Sequence, residues 1–280
     1  MSSPATTTAP AAAPHPAVGG TAACATGEDD VVIDVQDLAI GYEGKALLTG
    51  ISFTVHRGEV FVILGGSGSG KSTLLKNMIG LYEPLEGRVL IAGDDIVAAE
   101  GEARRAILCK MGVMYQSGAL FGSMTLLENV RLPLEEYTHL DMEAMNLIAR
   151  MKLDLVGLEK FADHLPSEVS GGMQKRAAIA RAMALDPQIL FLDEPSAGLD
   201  PVTAAELDAL ILRLNQALGV TFVVVTHELA SIFTIASRVI MLDPNTKGII
   251  AEGSPQRLRD EPPDETVRRF FHREPAPQPV

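Results

Sequence analysis

The strongest constraint on the fold is a glycine-rich loop that separates an uninterrupted apolar run from a stretch with helical spacing. Residues 60–64 read VFVIL, and a continuous apolar run of this length is typical of a strand buried on both faces. The loop follows at once, and apolar residues then recur at helical intervals in STLLKNMIGL. This order of strand, loop and helix predicts an α/β fold with a parallel sheet and crossover helices.

The loop matches the pattern G-x-x-x-x-G-K-[ST], which predicts a site for nucleotide phosphates. Glycines let backbone N–H groups point at an anion without Cβ clashes, and the following helix adds its positive end. Lys71 is expected to reach the β- and γ-phosphates, and the Ser72 hydroxyl to ligate Mg²⁺. A purely structural loop is disfavoured because the pattern follows a buried strand and opens a helix. The predicted binding residues of this segment are Gly65, Gly66, Ser67, Gly68, Ser69, Gly70, Lys71, Ser72 and Thr73.

Polar residues that follow other apolar runs predict the catalytic groups. The run ILFL leads into Asp193 and Glu194, and burying two carboxylates at a strand exit is costly unless they have a task. Asp193 is expected to hold the metal's water shell, and Glu194 to polarise an attacking water. His227 follows the run TFVVVT and is expected to contact the γ-phosphate, whereas Gln116 follows MGVMY and offers Mg²⁺ a neutral oxygen. A solvated strand end and a structural histidine are the alternatives.

The segment VSGGM predicts a second phosphate site at the start of another helix. Ser170, Gly171 and Gly172 offer a hydroxyl, unhindered N–H groups and a positive helix end, and Ser170 can cap that helix. One chain cannot readily bring both phosphate sites to one nucleotide if they lie on different subdomains, whereas two chains arranged head to tail can. We therefore expect an isologous homodimer with two nucleotides between the chains.

Composition and periodicity divide the chain into three parts. Residues 1–29 form an Ala-, Thr- and Pro-rich tail that we expect to be disordered, and its first 27 residues hold no Lys, Arg, Asp or Glu. These residues lack the basic start and apolar stretch of a secretory signal and the arginines of a transit peptide. Residues 30–255 form the main domain. Residues 256–280 form an extension rich in Pro and charge, in which Val267, Phe270 and Phe271 share one helical face.

The main domain begins with alternating residues from Val31 that predict half-buried strands. Residues 87–96 predict a strand pair with a turn near Gly93 and Asp94, and residues 98–185 are expected to form an inserted, mainly helical block. Buried strands are predicted again at 188–193, 221–227 and 239–243, with a helix from Pro201 between the first two.

Charge and composition exclude several classes of protein. The 23 Lys and Arg residues face 36 Asp and Glu residues, a net charge of −13, so we expect no nucleic-acid partner. Two cysteines exclude a disulfide scaffold. No apolar run approaches the roughly 18–20 residues that cross a bilayer. We therefore expect that the chain does not span a membrane by itself.

Together these motifs resemble those of the ATP-binding cassette (ABC) ATPases, over residues about 31–255. The resemblance implies an α/β P-loop NTPase (RecA-like) core with an antiparallel β subdomain and an inserted helical subdomain. It implies ATP and Mg²⁺ as cofactors, with Tyr42 stacking on adenine and residues 196–200 forming the D-loop. By this resemblance, Gln116 is the Q-loop glutamine, and Ser170 to Gly172 form the signature motif. Asp193 is the Walker B acid, Glu194 is the catalytic base and His227 is the switch histidine. Val169, Met173 and Gly66 depart from the usual residues, but none of these changes removes a phosphate-contacting group.

The string QSGALF at residues 116–121, with Met124, Thr125 and the ENV that follows, resembles the ATPases of MCE-type lipid transporters, among them the Mla systems. The segment VSGGMQKRAAIARAMALDP is similar to that group as well. This implies a phospholipid transport complex with an integral membrane permease (MlaE-like), a lipid-binding MCE protein (MlaD-like) and a small STAS-domain protein (MlaB-like). It also implies a peripheral place at the cytoplasmic face of the inner membrane. The extension near Phe270 resembles one that contacts the neighbouring subunit, and packing on its own domain is the alternative.

Rival functions differ in features that the sequence can be searched for. DNA-repair and chromosome ATPases carry long coiled-coil or zinc insertions, translation-type cassettes come in pairs, and this chain has neither feature. A non-catalytic nucleotide-binding regulator is disfavoured by Glu194 and His227. An ABC importer for a polar solute such as an amino acid remains the open alternative.

Overall fold

Two β-sheets and nine α-helices make up the described part of the chain, residues 30–274 of a computed structural model. The strands are β1 Val31–Tyr42, β2 Lys45–His56, β3 Val60–Gly65, β4 Glu86–Ile91, β5 Asp94–Asp95, β6 Met111–Met114, β7 Ile189–Asp193, β8 Thr221–Val225, β9 Arg238–Asp243 and β10 Gly248–Gly253. The helices are α1 Lys71–Met78, α2 Gly101–Leu108, α3 Leu126–Tyr137, α4 Met142–Leu155, α5 Gly171–Ala182, α6 Pro201–Leu218, α7 Leu229–Ile235, α8 Pro255–Asp260 and α9 Glu265–His272. None of these helices is long and apolar enough to cross a membrane.

The larger sheet has the strand order β10-β9-β3-β8-β7-β6, with β10 antiparallel and the other five strands parallel. Strands β3, β7 and β8 are buried at every position, as their continuous apolar runs predict. Parallel pairing places their carboxyl ends at one edge of the sheet, where ligands bind in open α/β folds. Residues that follow these strands therefore meet, although the chain separates them widely.

The smaller sheet is antiparallel and has the order β2-β1-β4-β5. It packs on the larger sheet through apolar residues, including Phe53 and Phe61, whose rings stack with centroids 5.2 Å apart. The turn between β4 and β5 is centred on Ala92 and Gly93, with φ of 48° and 86°, so the predicted turn near Gly93 and Asp94 is one residue late. Two successive left-handed residues are the geometry that a two-residue hairpin favours.

The helical block is smaller than the predicted 98–185. Helices α3, α4 and α5 pack on one another, but β6 within that range pairs with β7 in the parallel sheet. Strand β6, with the sequence MGVM, was not predicted because periodicity cannot distinguish so short an apolar run from a helical segment. Ser170 caps α5 by accepting a bond from the backbone of Met173, as expected.

Three elements around β9 were not predicted from the sequence. Helix α7 precedes β9, and β10 and α8 follow it. The helical face of the extension is present in α9. Its Val267 and Phe271 are buried, and Phe271 packs edge to face on Phe233 of α7 at 5.8 Å, so this face packs on its own domain. The expected disordered tail lies outside the described residues, and the domain boundaries stay predictions.

Candidate functional site

A cavity of about 690 Å³ lies at the carboxyl edge of the parallel sheet. It gathers predicted residues that follow four strands, β3, β6, β7 and β8, which are far apart in the chain. Two lining residues, Leu47 and Phe270, were not predicted to lie at this site: no motif marks Leu47, and Phe270 was expected to contact a neighbouring subunit or pack on its own domain. The cavity is lined by Leu47, Gly65, Gly66, Ser67, Gly68, Gly70, Lys71, Ser72, Thr73, Gln116, Glu194, His227 and Phe270.

The glycine-rich loop curls around the ammonium of Lys71. Its Nζ donates to the carbonyl oxygens of Gly65 and Gly66, each at 2.9 Å. Gly65 has φ of 151°, and a Cβ there would lie 2.4 Å from the Oγ of Ser69. Burial lowers the pKa of Lys71, while Glu194 and Asp193 oppose that shift. A buried cation held by two loop carbonyls is placed for an anion that enters the loop.

Ser72 and Asp193 form the arrangement that a divalent cation requires. The Oγ of Ser72 donates to Oδ1 of Asp193 at 3.0 Å, and Gln116 lines the same cavity. Hydroxyl, carboxylate and amide oxygens are hard donors, so the set fits Mg²⁺. Residues 30–274 hold no group of three or more His, Cys, Asp or Glu side chains able to hold a metal ion.

Glu194 and His227 form a direct pair. The Nδ1 of His227 lies 2.8 Å from Oε1 of Glu194, and the side chain of Glu194 is 10% exposed against 62% for His227. The other oxygen, Oε2 of Glu194, is buried with no hydrogen-bond partner among the described residues. Glu194 also has φ of 47°, a left-handed conformation that costs about 1–3 kcal/mol outside glycine. Strain and an unpaired carboxylate oxygen at one residue are typical of a functional group.

Tyr42 lies at the end of β1 with its ring half exposed. Its hydroxyl is 2.9 Å from Oγ1 of Thr73, and its ring meets Tyr82 edge to face at 6.0 Å. The hydroxyl is therefore anchored to α1, and an exposed aromatic face remains next to the loop. That position suits stacking on a planar base, the role predicted for Tyr42.

Ser170, Gly171 and Gly172 do not line the cavity. They open α5, and Gly172 packs against α6 so closely that a Cβ would lie 2.4 Å from Cγ2 of Thr203. Within the described residues, the glycine-rich loop and the segment Ser170 to Gly172 therefore do not share this cavity.

Three further polar residues, to which the sequence analysis gave no individual role, hold the loop between β6 and α3. Lys175 donates to the carbonyl of Gln116, and Arg181 donates to those of Gly118 and Ala119. Asn129, fully buried, donates to the carbonyls of Phe121, Met124 and Thr125 and accepts from the N–H of Phe121. A polar residue inside an apolar helical pattern is the signal that could have found Asn129, because buried amides need several partners.

A phosphate loop, an acid pair and a histidine on a parallel sheet define a P-loop ATPase. The ABC transporter family model matches residues 48–197. The chain belongs to the ABC transporter ATP-binding proteins and is an ATP hydrolase of that type.

Relatives of known name or structure agree with this assignment. The chain is 41% identical over 240 residues to the intermembrane phospholipid transport system ATP-binding protein MlaF of Escherichia coli K12, which covers 86% of this chain and 88% of the relative. It is 42% identical over 244 residues to the probable ribonucleotide transport ATP-binding protein mkl of Mycobacterium tuberculosis H37Rv, covering 86% and 67%. A dimeric ATP-binding cassette solved in a post-hydrolysis state with ADP and Pi superimposes with a TM-score of 0.72 at 32% identity, covering 79% and 98%.

Proposed function

We propose that this chain is the ATPase subunit that energises phospholipid transport between membranes in an MCE-type complex of the Mla kind. The observation that carries the proposal is the 41% identity to MlaF across nearly the whole length of both proteins. The loop from Gln116 to Phe121 adds support. Its first residue, Gln116, lines the nucleotide cavity and its last, Phe121, is half exposed, so a membrane partner bound to Phe121 can detect the nucleotide state through this loop.

A second candidate is transport of a polar solute. The mkl relative, named for probable ribonucleotide transport, is as similar to this chain as MlaF is, although the chain spans only about two thirds of its length. An importer for another polar solute, such as an amino acid, is the same kind of candidate, because its cargo is also a polar solute rather than a lipid. Phospholipid is favoured because the MlaF match covers 88% of that relative.

Two copies of the chain would form the working ATPase. The signature residues Ser170 to Gly172 lie outside the nucleotide cavity of their own chain, so a head-to-tail partner is the natural source of a second phosphate contact. The dimeric cassette with ADP and Pi has the same fold. A nucleotide that touches both chains favours the closed dimer by differential binding, and hydrolysis removes that preference.

The predicted residues at the cavity, together with Asp193 next to Ser72, then have separate tasks. Lys71 exchanges its two loop carbonyls for phosphate oxygens, and the backbone N–H groups of the loop hold the remaining charge. Ser72, Asp193 and Gln116 would hold Mg²⁺, which neutralises charge on the phosphates. Glu194 accepts the proton of the attacking water at Oε2 while His227 orients the carboxylate through Oε1. The chain thus positions groups and stabilises charge.

The proposed partners are a permease, a lipid-binding MCE protein and a small STAS-domain protein. The permease would hold the chain at the cytoplasmic face of the inner membrane. Direct contact with the permease is assigned to the surface around Leu120 and Phe121, because Phe121 is 51% exposed while Asn129 holds its backbone in place. An exposed aromatic side chain on a fixed backbone is typical of a binding anchor.

The test is purification of the complex from its native membrane, with mass spectrometry of the bound lipids and proteins. We expect phospholipid and an integral permease to co-purify, and reconstituted vesicles to move labelled phospholipid when ATP is supplied. The Glu194→Gln complex is the matched control, since we expect it to bind nucleotide without turning over. Movement of a ribonucleotide or an amino acid, with no movement of lipid, would replace this proposal by the second candidate.

A further inference from the structure

Helix α5 holds the backbone of the loop at residues 116–119 by two side chains. The Nζ of Lys175 donates to the carbonyl oxygen of Gln116. The guanidinium of Arg181 donates Nη1 to the carbonyl of Ala119 and Nη2 to that of Gly118, both at 2.7 Å. The two side chains are six residues apart on α5, so they attach one helix to successive carbonyls of one loop.

Among residues 30–274, the acceptors of both cations are backbone carbonyls of this loop. Lys175 is 8% exposed and has the carbonyl of Gln116 as its hydrogen-bond acceptor. Burial lowers the pKa of Lys175, and the charges of Asp193 and Glu194 oppose the shift, so the ammonium lies within electrostatic reach of the acid pair. A buried cation is costly unless its donors are used. Here the ammonium donates to the backbone carbonyl of Gln116.

The loop needs this support, because its backbone is strained. Gly118 has φ of 73° and Ala119 has φ of 48°, and a left-handed alanine is unfavourable without outside contacts. Gly118 also lies directly against α5, since a Cβ built there would be 3.5 Å from the Cβ of Ala178. The same face of α5 therefore contacts the loop through Lys175, Ala178 and Arg181.

The opening end of α5 carries the signature residues. Gln174, next to Lys175, donates to the carbonyls of Pro166 at 2.9 Å and Val169 at 3.4 Å, so the segment before the signature is fixed to this helix as well. One rigid helix thus holds Ser170 at its end and the loop of Gln116 on its side.

We propose that Lys175 and Arg181 are positioning residues that clamp residues 116–119 to α5, so that Gln116 and the signature residues move as one body. The proposal rests on the roles proposed above for Gln116 and Ser170. Its consequence is that contact between Ser170 and a nucleotide on the partner chain moves the side-chain amide of Gln116 within its own cavity. Lys175 and Arg181 themselves touch no substrate.

The first experiment compares Lys175→Met, Lys175→Arg and the exposed control Lys160→Met in the full chain within its purified complex. We expect Lys175→Met to lower kcat for Mg·ATP about tenfold, while ATP affinity measured in EDTA changes less than about twofold. Lys175→Arg keeps a buried donor and should retain at least about half of the activity. Equal losses in the Met and Arg variants, or wild-type activity in Lys175→Met, would overturn the proposal.

A double-mutant cycle with Gln116→Ala separates a positioning role from a general structural one. If Lys175 acts through Gln116, adding Lys175→Met to Gln116→Ala should cost less than about twofold further in kcat. Independent effects would multiply, and that result rejects the clamp. Lipid movement is not used here, so a wrong assignment of phospholipid leaves this comparison readable.

A disulfide crosslink between the loop and α5 tests whether they move as one body, even if Lys175→Met fails to fold. The Cβ separation of 3.5 Å lets Gly118→Cys and Ala178→Cys form a disulfide in a chain whose Cys24 and Cys109 are replaced by Ser. We expect the oxidised protein to match its reduced form in ATP hydrolysis, because loop and helix never separate. Oxidation should also restore activity to Lys175→Met in that background. Loss of hydrolysis on oxidation, with recovery on reduction, would show that loop and helix must part.

Discussion

The Nδ1 atom of His227 lies 2.8 Å from Oε1 of Glu194, although the two residues follow different strands and are 33 positions apart. The contact uses one carboxylate oxygen and leaves Oε2 buried without a partner in the described part of the chain. The two carboxylate oxygens of Glu194 therefore have different roles. One is oriented by the imidazole, and the other is available to a water molecule.

Replacing Glu194 by Gln should abolish turnover without loss of binding. The amide keeps the shape of the side chain but cannot accept a proton from water, so kcat should fall about 10²–10⁴-fold. ATP should still bind, and the dimer should accumulate, because hydrolysis no longer removes the nucleotide that holds it together. Phosphate release and light scattering with ATP measure the two effects. Turnover near the wild-type rate would reject Glu194 as the base.

Lys71→Ala should weaken nucleotide binding, because the ammonium held by Gly65 and Gly66 is the charge that meets the phosphates. Loss of a charge-assisted hydrogen bond predicts a decrease in ATP affinity of about tenfold or more. Titration calorimetry measures it, with the exposed Lys160→Ala as the control. Unchanged affinity for ATP in Lys71→Ala would contradict the assigned cradle.

Gly172→Ala should destabilise the domain through contact with α6. The added Cβ would lie 2.4 Å from Cγ2 of Thr203, and overpacking of this kind costs about 1–3 kcal/mol. Thr203→Ser removes that methyl group and keeps the hydroxyl that donates to Asp200. We expect it to recover most of the loss in urea unfolding. A double variant no more stable than Gly172→Ala would show that the methyl contact is not the cause.

Phe271→Ala should destabilise the domain by about 3–5 kcal/mol, since it removes a buried ring that packs on Phe233. Phe161→Ala, whose ring is 37% exposed, is the matched control and should cost far less. Urea unfolding of the two variants gives the comparison. Equal stability of Phe271→Ala and the wild type would mean that α9 is not docked on its own domain in solution.

Phe121→Ala should separate ATP hydrolysis from membrane attachment. The side chain is half exposed and lies outside the nucleotide cavity, so ATPase activity of the isolated subunit should stay within about twofold. Binding to the permease should fall, because an exposed aromatic anchor is lost. Pull-down of the permease measures it. Undiminished recovery would remove Phe121 from the proposed contact.

The local sequence predicted an element correctly where one short segment contains both the residue pattern of the element and the residues that begin or end it. The strand at β3, the loop around Lys71 and the cap at Ser170 all belong to this kind. It did not predict β6 as a strand, because four apolar residues fit a strand or a helix equally well until β7 is alongside. The turn between β4 and β5 was predicted one residue too late for a related reason, since several neighbouring small or polar residues are each compatible with a turn.

The amino-acid sequence by itself determined the chemistry of this protein. A phosphate loop needs particular residues at fixed spacing, and Gly65, Lys71 and Ser72 are close neighbours in the chain. Only the tertiary structure decided how the distant groups pair: Ser72 with Asp193, His227 with Glu194, and Lys175 with the backbone of Gln116. Such contacts depend on strand order and on the approach of α5, which sequence spacing does not encode, because each is set by the packing of the whole core.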